Sequence, residues 1–408
     1  MSKILILGGN ARETVFAIKL ANDGNEVHIM SEFKNINLIN NAYIKHYAYY
    51  FNEDIIKDIN PDFVFAFNES YIFDKNLNEK THNILPHTCK ICIPYTNAIF
   101  LEKDKLKTKK LLQKNIKHKM IRVFNEVQMS QLINKYKKVF VRNLIGDDIQ
   151  FYIFSELNIG DNLDYDNSIV LAEPYILGEN ATITYFINNG KFSILPIVFD
   201  YPYFLDNNNF VKTSGIMCEY DYYKTNEYNL MNIANELIEY VKAIIPSNYT
   251  GFLATQILVT KSDYSFVEFD IKPGEPEFIN IINAMEDNFG TILNNTKSIY
   301  IPKIKKDYSI SVALASSDYP KKAFCQLELI DELFNNTELE FYYSKAILKN
   351  NALQNFENGR LGFIYKEGIN YSDVLAQLKN IKEDTKKFLE NSHCCLYLAN
   401  RTTKYLIQ

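Results

Sequence analysis

Residues 250–285 read TGFLATQILVTKSDYSFVEFDIKPGEPEFINIINAM, and this stretch decides the fold of the chain. Two apolar segments, residues 251–260 and 264–269, are separated by a turn-forming Lys-Ser-Asp sequence and predict an antiparallel hairpin in a buried sheet. Glu268 and Asp270 close the second strand. Because residues two positions apart point to the same face of a strand, we expect their carboxylates about 7 Å apart on one face.

The residues after this acid pair end the strand and add charge. Lys272 supplies a cation, Gly274 is a permissive backbone position, and two prolines precede a helix that we expect to begin near Glu277. Magnesium in nucleotide sites is held by one or two carboxylates together with substrate phosphates. The pattern therefore indicates a Mg-nucleotide site; the alternative is a pair of solvated acids at a strand end.

The sequence VEFDIKPGEPEF at residues 267–278 resembles the metal and substrate segment of phosphoribosylamine–glycine ligases, which reads LEFN.RFGDPE in that family. The resemblance implies that Glu268 and Asp270 bind Mg²⁺ or Mn²⁺. It further implies that Lys272 takes part in catalysis and substrate binding. Gly274 and Glu275 would then contact the substrate.

Composition excludes several other classes of protein. The chain has 408 residues, a formal net charge of −5 and 47% hydrophobic residues, as expected for an ordinary globular protein of several domains. The acidic balance of charges argues against a nucleic-acid partner. The sequence lacks a long uncharged apolar segment of the kind that forms a signal peptide or a membrane span. We therefore expect a cytoplasmic protein. The family resemblance implies small-molecule substrates, and we expect a monomer or homodimer.

The six cysteines are expected to be reduced thiols, because no secretory signal is present. Cys89 and Cys92, with His82 and His87 upstream, have a spacing that can hold zinc. No second ligand pair follows at a regular spacing. The alternative is that both are buried thiols beside a strand.

Residues 1–97 predict an open α/β unit that begins strand–helix–strand. The turn after the first strand, GGNARE, suits an anion at a helix N-terminus but lacks the full G-x-G-x-x-G pattern of a nicotinamide site. It resembles GxGGREH at the first turn of the same ligase family. That resemblance implies substrate contacts by Gly9, Arg12 and Glu13.

Two segments resemble the phosphate-binding parts of an ATP-grasp fold. The sequence around Lys105 is similar to the family phrase PxxxxxxLEASKxFxKxFL, and this resemblance implies that Lys105 is the first ATP-phosphate lysine. The alternative is that Lys105 belongs to a lysine-rich helix whose charged face is solvated. Arg142 stands where the family has its second, catalytic lysine. The lid that follows has one glycine and two acids, so either it is shortened and ATP is held elsewhere, or ATP binds weakly or not at all.

The segment EPYILGE, residues 173–179, resembles the hinge EEFLxGEE of the family, where adenine lies against a strand and a carboxylate binds the ribose. The resemblance implies that Glu173 and Glu179 bind ATP. Further on, the family has QDHKR and then NTGGMG. Asp200, Thr213 and Gly215 fit these substrate motifs, but Tyr-Pro-Tyr replaces the His-Lys-Arg that would serve a phosphorylated substrate.

The last part of the chain also follows the family. Asn-Gly-Arg-Leu around Arg360 matches GGRVL in part, so Arg360 is either a substrate contact or a surface arginine in a turn. The resemblance covers the whole chain and implies an α/β protein with an ATP-grasp fold. Its domains would be a Rossmann-like pre-ATP-grasp domain over residues 1–97, an ATP-grasp domain over 98–300 with lobes 98–172 and 173–300, and a C-terminal α/β domain over 301–408.

The implied activity is that of an ATP-dependent carboxylate–amine ligase. In the family, glycine and phosphoribosylamine are joined through an acyl phosphate to give glycinamide ribonucleotide, a step of purine biosynthesis. Two alternatives stay open: a ligase on the same scaffold for another acid and amine, and a catalytically inactive relative.

Overall fold

The computed structural model describes a chain of mixed α/β structure. The described residues are 1–33, 35–38, 41–112, 120–145, 148–155, 163–206, 209–316, 319, 326–328, 339–344, 346–349, 352–355, 360–378 and 394–396.

The N-terminal part is an open parallel sheet flanked by helices. Its elements are β1 (Lys3–Leu7), α1 (Ala11–Asn22), β2 (Glu26–Met30), β3 (Ile44–Tyr47), α2 (Glu53–Ile59), β4 (Phe63–Ala66), α3 (Glu69–Phe73), α4 (Lys75–Ile84) and β5 (Lys90–Cys92). The strand order is β3-β2-β1-β4-β5, with every neighbouring pair parallel. Apolar runs such as that of β1 suit a parallel sheet covered on both faces. The predicted strand–helix–strand start is confirmed.

A small antiparallel unit follows, with its own core. Its elements are α5 (Phe100–Lys103), α6 (Lys105–Leu111), β6 (Ile121–Val123), α7 (Glu126–Tyr136), β7 (Lys138–Ile145), β8 (Asp148–Ser155) and β9 (Ile169–Pro174). The sheet order is β6-β9-β7-β8. Helix α7 packs on this sheet through Met129 and Ile133, which meet Val139, Val141 and Val170 in a cluster separate from the main core.

The next part contains the hairpin that organises the sequence. Its elements are β10 (Glu179–Asn188), β11 (Lys191–Ile194), β12 (Val198–Asp206), β13 (Asn209–Asp221), α8 (Tyr222–Glu227), α9 (Leu230–Ile244), β14 (Gly251–Val259), β15 (Tyr264–Asp270), α10 (Glu277–Asn283), α11 (Phe289–Leu293) and β16 (Ile299–Tyr300). Strands β14 and β15 pair antiparallel as predicted, and α10 begins at Glu277.

The last part continues the same sheet. Its strands are β17 (Tyr308–Ser316), β18 (Gln326–Glu328), β19 (Glu340–Tyr343), β20 (Ala346–Lys349), β21 (Ala352–Asn355), β22 (Arg360–Gly368) and β23 (Cys394–Leu396), and residues 371–378 are helical. The sheet runs β15-β14-β10-β12-β13-β17-β22-β19, because β13 pairs with β17. The sequence pattern did not predict that these two parts of the chain share one sheet.

Local turn chemistry explains two details of this region. Asn189 and Gly190 both have positive φ, 51° and 71°, in the two-residue turn between β10 and β11, as a primed hairpin turn requires. The apolar stripe of residues 230–244 forms α9, and the residues before it form the separate helix α8, because the left-handed φ of 54° at Asn229 interrupts the helical backbone.

Aromatic packing holds the N-terminal sheet against the large sheet. Phe16 on α1 lies 5.9 Å from Phe252 of β14, 5.5 Å from Phe278 of α10 and 4.8 Å from Phe289 of α11, measured between ring centroids. These rings are fully buried or nearly so. The contacts bring the loop after β1 close to the segment after β15. Within the described ranges, no helix has both the length and the apolar character needed to cross a bilayer.

The Cys89 and Cys92 pair does not form a metal site with neighbouring ligands in the described structure. No group of three or more His, Cys, Asp or Glu side chains suited to a metal occurs among the residues whose positions are described. Both thiols are buried, and burial raises the pKa of Cys89 to about 12. The ring of His82 instead stacks on Tyr95, with centroids 3.7 Å apart.

We expect His82 to make stability depend on pH. Its burial lowers the pKa to about 4, whereas an unfolded histidine has a pKa near 6.5. The unfolded chain therefore binds a proton that the folded protein excludes. The free energy of unfolding should fall by about 2 kcal/mol between pH 7 and pH 5 on this account. Urea unfolding of a His82→Phe variant at both pH values should show a smaller fall.

The exposed His87 provides the control for this prediction. A His87→Gln variant should retain the pH dependence of the wild-type protein. An equal fall in unfolding free energy for the wild-type and His82→Phe proteins would show that His82 is not responsible.

Candidate functional site

The structure brings the early lysine and the late acid pair together. Lys105 begins α6 and donates from its ammonium group to the carboxylate of Glu268 on β15, an ion pair across 163 positions of sequence. Glu268 lies opposite Gln256 of β14, and the strand register shifts at this point. Asp270 follows two positions later and accepts a hydrogen bond of 2.6 Å from the Gln256 amide.

The surroundings of Asp270 suit a bound cation. Its pKa is raised to about 7, chiefly by burial and then by the nearby carboxylates of Glu102 and Glu268, while the ammonium groups of Lys272 and Lys105 oppose the shift. Mg²⁺ in nucleotide sites takes one or two protein carboxylates, and phosphates and water supply its other oxygen ligands. Glu268 and Asp270 are carboxylates of the kind that such an ion needs, so the donor set fits Mg²⁺ or Mn²⁺ bound together with a nucleotide.

Lys272 lies beside this acid pair but is already paired. Its ammonium group donates to Glu102 on α5 and lies 3.5 Å from Glu69 on α3. The other Glu102 oxygen accepts a 3.0 Å hydrogen bond from the backbone of Ile271. Lys272 thus ties the segment after β15 to two helices from the first 103 residues. In this arrangement it faces carboxylates.

A second ion cluster lies on the antiparallel unit. Glu173, at the end of β9, accepts from Lys109 of α6, and its other oxygen is 3.4 Å from the Arg142 guanidinium on β7. All three side chains are largely buried. The structure therefore brings together two residues predicted to bind ATP, Arg142 and Glu173, and adds Lys109.

The sequence reasoning missed Lys109, although a signal was present. Lys109 follows Lys105 by four positions, so the two lie on the same face of α6. It also occupies the second lysine of the family phrase that aligns Lys105. Burial lowers the pKa of Lys109, while the nearby carboxylate of Glu173 opposes that shift. The neighbouring Lys110 is exposed.

Arg142 has hydrogen-bonding capacity that the described protein atoms do not use. Its side chain is 4% exposed, and its Nε and Nη1 atoms have no hydrogen-bond partner among the described residues. A buried guanidinium donor is costly to leave unsatisfied, and its planar fork matches phosphate oxygens. This arrangement fits an anion that binds beside Glu173.

We expect Lys109→Met to weaken both folding and nucleotide binding. The substitution removes one of the two cations that face the Glu173 carboxylate inside the protein. Breaking such a buried pair costs about 3 kcal/mol of unfolding free energy. Mg-ATP affinity, measured by calorimetry, should fall at least about tenfold, because one fewer cation faces the polyphosphate.

Lys110→Met is the matched control, since it removes an exposed lysine from the same turn of α6. It should change the unfolding free energy by less than about 0.5 kcal/mol. Equal effects of the two substitutions would contradict the assignment of Lys109 to the site.

The predicted phosphate lid is short. Strand β7 ends at Ile145 and β8 begins at Asp148, so only two residues connect them. The glycine of the predicted lid and the first of its two acids, positions 146 and 147, lie outside the described residues. A two-residue connection matches the shortened-lid alternative.

Glu179 and Asp200 belong to a different part of the large sheet. Lys224 bridges Glu179 at 3.0 Å and the fully buried Glu219 at 2.8 Å. Glu219 also accepts from the hydroxyl of Tyr201 at 2.5 Å. Tyr201, in the place of the family's histidine, therefore serves an internal network. Asp200 is buried on β12.

The predicted substrate contacts Arg12, Arg360 and Glu275 form a clamp between three parts of the chain. Arg12 donates to the carbonyl of Phe67 at 2.7 Å and to that of Pro273 at 2.9 Å, and its backbone N–H donates to Glu275 at 3.3 Å. Arg360 donates to the other Glu275 oxygen at 3.2 Å. These guanidinium groups bind the protein itself, which sequence comparison alone did not indicate.

The two glycines at this junction allow close backbone approach. Gly215 has φ +98°, and a side chain there would place Cβ 2.3 Å from the Glu275 carbonyl oxygen. A Cβ at Gly274 would meet the Glu277 carboxylate at 2.6 Å. This close packing explains why both positions are occupied by glycine. Thr213 lies on β13, and its side chain is outside the described part of the structure.

Gly9 lies in a cleft at the C-terminal ends of the parallel strands. The cleft has a volume of about 290 Å³ and includes the turn from Gly8 to Asn10. A Cβ on Gly9 would approach the Ser31 hydroxyl to 2.8 Å. Glu13 is fully buried behind this turn, with its carboxylate 3.8 Å from the Arg12 Nε. The cleft is separate from the ion cluster around Glu173.

Comparison with known proteins supports the same assignment as the motifs. The family described as phosphoribosylglycinamide synthetase, ATP-grasp (A) domain, matches residues 152–278. A phosphoribosylamine–glycine ligase from Pyrococcus abyssi is 22% identical over 359 residues, covering 80% of each chain. The enzyme of that name from Pyrococcus horikoshii is 23% identical over 375 residues, covering 84% of this chain and 83% of that protein.

Solved structures show the fold. The phosphoribosylamine–glycine ligase of Thermotoga maritima superposes with a TM-score of 0.65 at 16% identity, covering 96% of this chain and 97% of that chain. N5-carboxyaminoimidazole synthetase from Staphylococcus aureus, complexed with ADP, has a TM-score of 0.60 at 13% identity, with 94% and 98% covered. The fold is thus the predicted α/β ATP-grasp architecture. The chain is therefore similar to phosphoribosylamine–glycine ligases over most of its length, at 22–23% identity, and its residues 152–278 match the ATP-grasp domain of that family.

Proposed function

We propose that the protein is an ATP-dependent ligase that joins a carboxylate to an amine. The observation that carries this proposal is the contact between Lys105 and Glu268, with Asp270 beside them. An early helix supplies the cation and a late hairpin supplies the acids, so one place in the structure offers groups for both phosphate and metal. Positioning and electrostatic stabilisation account for most of the catalysis in phosphoryl transfer.

Each residue has a role that follows from its charge and position. Lys105, Lys109 and Arg142 would orient the phosphates of ATP, and Glu173 holds the last two in place. Glu179, bridged to Lys224, would accept hydrogen bonds from the ribose hydroxyls. Lys272 would orient the reacting groups next to the acid pair.

Glu268 and Asp270 would hold Mg²⁺ or Mn²⁺. The metal would neutralise phosphate charge during transfer. Gly9, Arg12, Glu13, Asp200, Thr213, Gly215, Gly274, Glu275 and Arg360 stay proposed as the substrate-side residues. The clamp contacts of Arg12 and Arg360 favour an indirect role, in which they position Glu275.

Two substrate pairs are candidates. The names of the relatives favour glycine and phosphoribosylamine, joined through an acyl phosphate to glycinamide ribonucleotide in purine biosynthesis. Another acid and amine are favoured by Tyr201, because its hydroxyl bonds to Glu219 where the family has a histidine for its substrate. Either way we propose small-molecule substrates, no nucleic-acid or membrane partner, a cytoplasmic location and a monomer or homodimer.

Calorimetry with Mg-ATP tests the proposal first. Heat of binding and a thermal shift are expected, and the absence of both would leave only a catalytically inactive relative. ADP release that requires both glycine and phosphoribosylamine would select the first pair. Nucleotide binding without that requirement would select the second.

A further inference from the structure

Two lysines on one face of α6 each pair with an acid of the proposed ligase site. Lys105 donates to Glu268 of β15, and Lys109, one turn later, donates to Glu173 of β9. The ammonium groups proposed to orient the phosphates of ATP are thus bound to carboxylates of the protein itself. A polyphosphate that uses these ammonium groups competes with the carboxylates for them.

The two ion pairs differ in how readily they can separate. The Lys109 side chain is 3% exposed, and its partner Glu173 also lies 3.4 Å from the Arg142 guanidinium. The Lys105 side chain is 27% exposed. A lysine ammonium group sits on a flexible four-carbon stem and can turn to a new partner where the stem is partly open to solvent. Lys105 is therefore the lysine of α6 that can exchange its carboxylate for another anion.

The carboxylate of Glu268 is shared between two proposed functions. Its side chain is 8% exposed and accepts a hydrogen bond from the Lys105 ammonium group. Glu268 is also one of the two acids proposed to bind Mg²⁺ or Mn²⁺. A divalent ion on this carboxylate would be repelled by an ammonium group that holds the same carboxylate, and little water is present to screen that repulsion. The ion pair therefore opposes metal binding.

The other ammonium group near the acid pair has different partners. Lys272 donates to Glu102 and lies 3.5 Å from Glu69. Lys272 and Lys105 both act on Asp270 through their charges. Lys105, however, holds a metal acid directly, whereas Lys272 is directed to carboxylates of α3 and α5. Direct competition with a metal is thus a property of Lys105.

We propose that Lys105 makes metal binding depend on the nucleotide. The proposal rests on the ligase function and concerns the regulation of the same site. Without a polyphosphate, the Lys105 ammonium group stays on Glu268 and keeps the metal affinity low. The phosphates of ATP offer the ammonium group new anionic partners, so that it leaves Glu268 and the carboxylate becomes available to the metal. Metal and nucleotide then bind with positive coupling, which by linkage acts equally in both directions.

Binding of Mn²⁺ alone to the full chain tests the competition, with free Mn²⁺ measured by its EPR signal. Lys105→Met should bind Mn²⁺ at least about tenfold more tightly than the wild-type protein, because the competing ammonium group is gone. Lys105→Gln should show the same gain while it keeps a polar group beside the buried carboxylate. Lys105→Arg keeps a cation within reach of Glu268 and should bind Mn²⁺ as weakly as the wild type. Thermal unfolding curves check that each variant is folded.

Two further variants separate direct competition from a general change of charge. Lys110→Met removes an exposed lysine of the same helix turn and should change the Mn²⁺ affinity by less than about twofold. Lys272→Met removes the other ammonium group that acts on Asp270 and leaves the Lys105 pair with Glu268 in place. Its gain in Mn²⁺ affinity should be smaller than that of Lys105→Met.

Calorimetry with ATP tests the coupling from the side of the nucleotide. Adding Mn²⁺ should increase the ATP affinity by a factor at least about tenfold larger in the wild-type protein than in Lys105→Met. Formation of Mn-ATP in solution affects both proteins equally and cancels in this comparison. An equal gain in the two proteins would contradict the coupling.

Several results of the Mn²⁺ experiment would overturn the role of Lys105. These are wild-type affinity in both Lys105→Met and Lys105→Gln, an equal gain in Lys272→Met, or no Mn²⁺ binding by any of the proteins. The ligase function has its own test in Mg-ATP binding. Tighter Mn²⁺ binding by the Lys105 variants of a protein that does not bind Mg-ATP would reject the ligase and keep the competition. Mg-ATP binding without any gain in Mn²⁺ affinity would reject only the competition.

Discussion

Glu268→Gln is expected to reduce ADP release at least about 10³-fold while the protein stays folded. The substitution keeps the size of the side chain but removes a carboxylate proposed to bind the metal, and loss of one electrostatic group of this kind typically costs about 10²- to 10³-fold or more. The Lys105 side chain, 27% exposed, can reach water after its partner is neutralised. Steady-state ADP release, with a thermal unfolding curve for each protein, measures both effects.

Glu239→Gln serves as the control for this substitution. Glu239 is 69% exposed on α9 and forms an ion pair with Lys242 of the same helix. Its substitution should leave ADP release unchanged within about twofold. Turnover by Glu268→Gln at the wild-type rate would show that the acid pair is not part of the active site. The similarity to the ligases would then not identify the catalytic residues.

Glu275→Leu is expected to cost about 3 kcal/mol of unfolding free energy. Its carboxylate lies between the Arg12 backbone N–H and the Arg360 guanidinium, and both arginine side chains are about nine-tenths buried. Removing one member of a buried ion pair leaves the other charge with less compensation inside the protein, which is strongly destabilising. Urea unfolding followed by fluorescence and circular dichroism would measure the loss.

A double substitution separates the ion pair from simple loss of packing. The double variant Arg360→Leu with Glu275→Leu should be more stable than Glu275→Leu alone. The reason is that it also removes the buried guanidinium charge whose carboxylate partner the single substitution takes away. Glu239→Leu should change the unfolding free energy by less than about 0.5 kcal/mol. A double variant as unstable as the sum of the two single variants would show that the charges do not interact.

Much of the fold was predictable because it depends on local pattern. Alternation of apolar residues around a turn located β14 and β15, and Asn189-Gly190 located the β10–β11 turn. The apolar stripe of residues 230–244 also indicates helix α9, but a stripe carries no information on the left-handed break at Asn229 that separates α9 from α8.

The candidate site was only partly predictable. Five lysines lie between positions 103 and 110, and their sequence gives little reason to prefer one. Lys109 is buried because α6 packs against β15, whereas Lys110 of the same turn faces water. Likewise, Arg12 and Arg360 matched substrate motifs, yet their donors meet backbone carbonyls and Glu275.

By itself, the sequence determined the hairpin, the order of the acids that leave it and the parallel start of the chain. These features follow from contacts between residues two to four positions apart. Only the tertiary structure decided which charges meet and that β13 and β17 join two parts of the chain in one sheet. Such pairings depend on residues that are far apart in the sequence, and their approach is set by packing of the whole core and leaves no periodic trace along the chain.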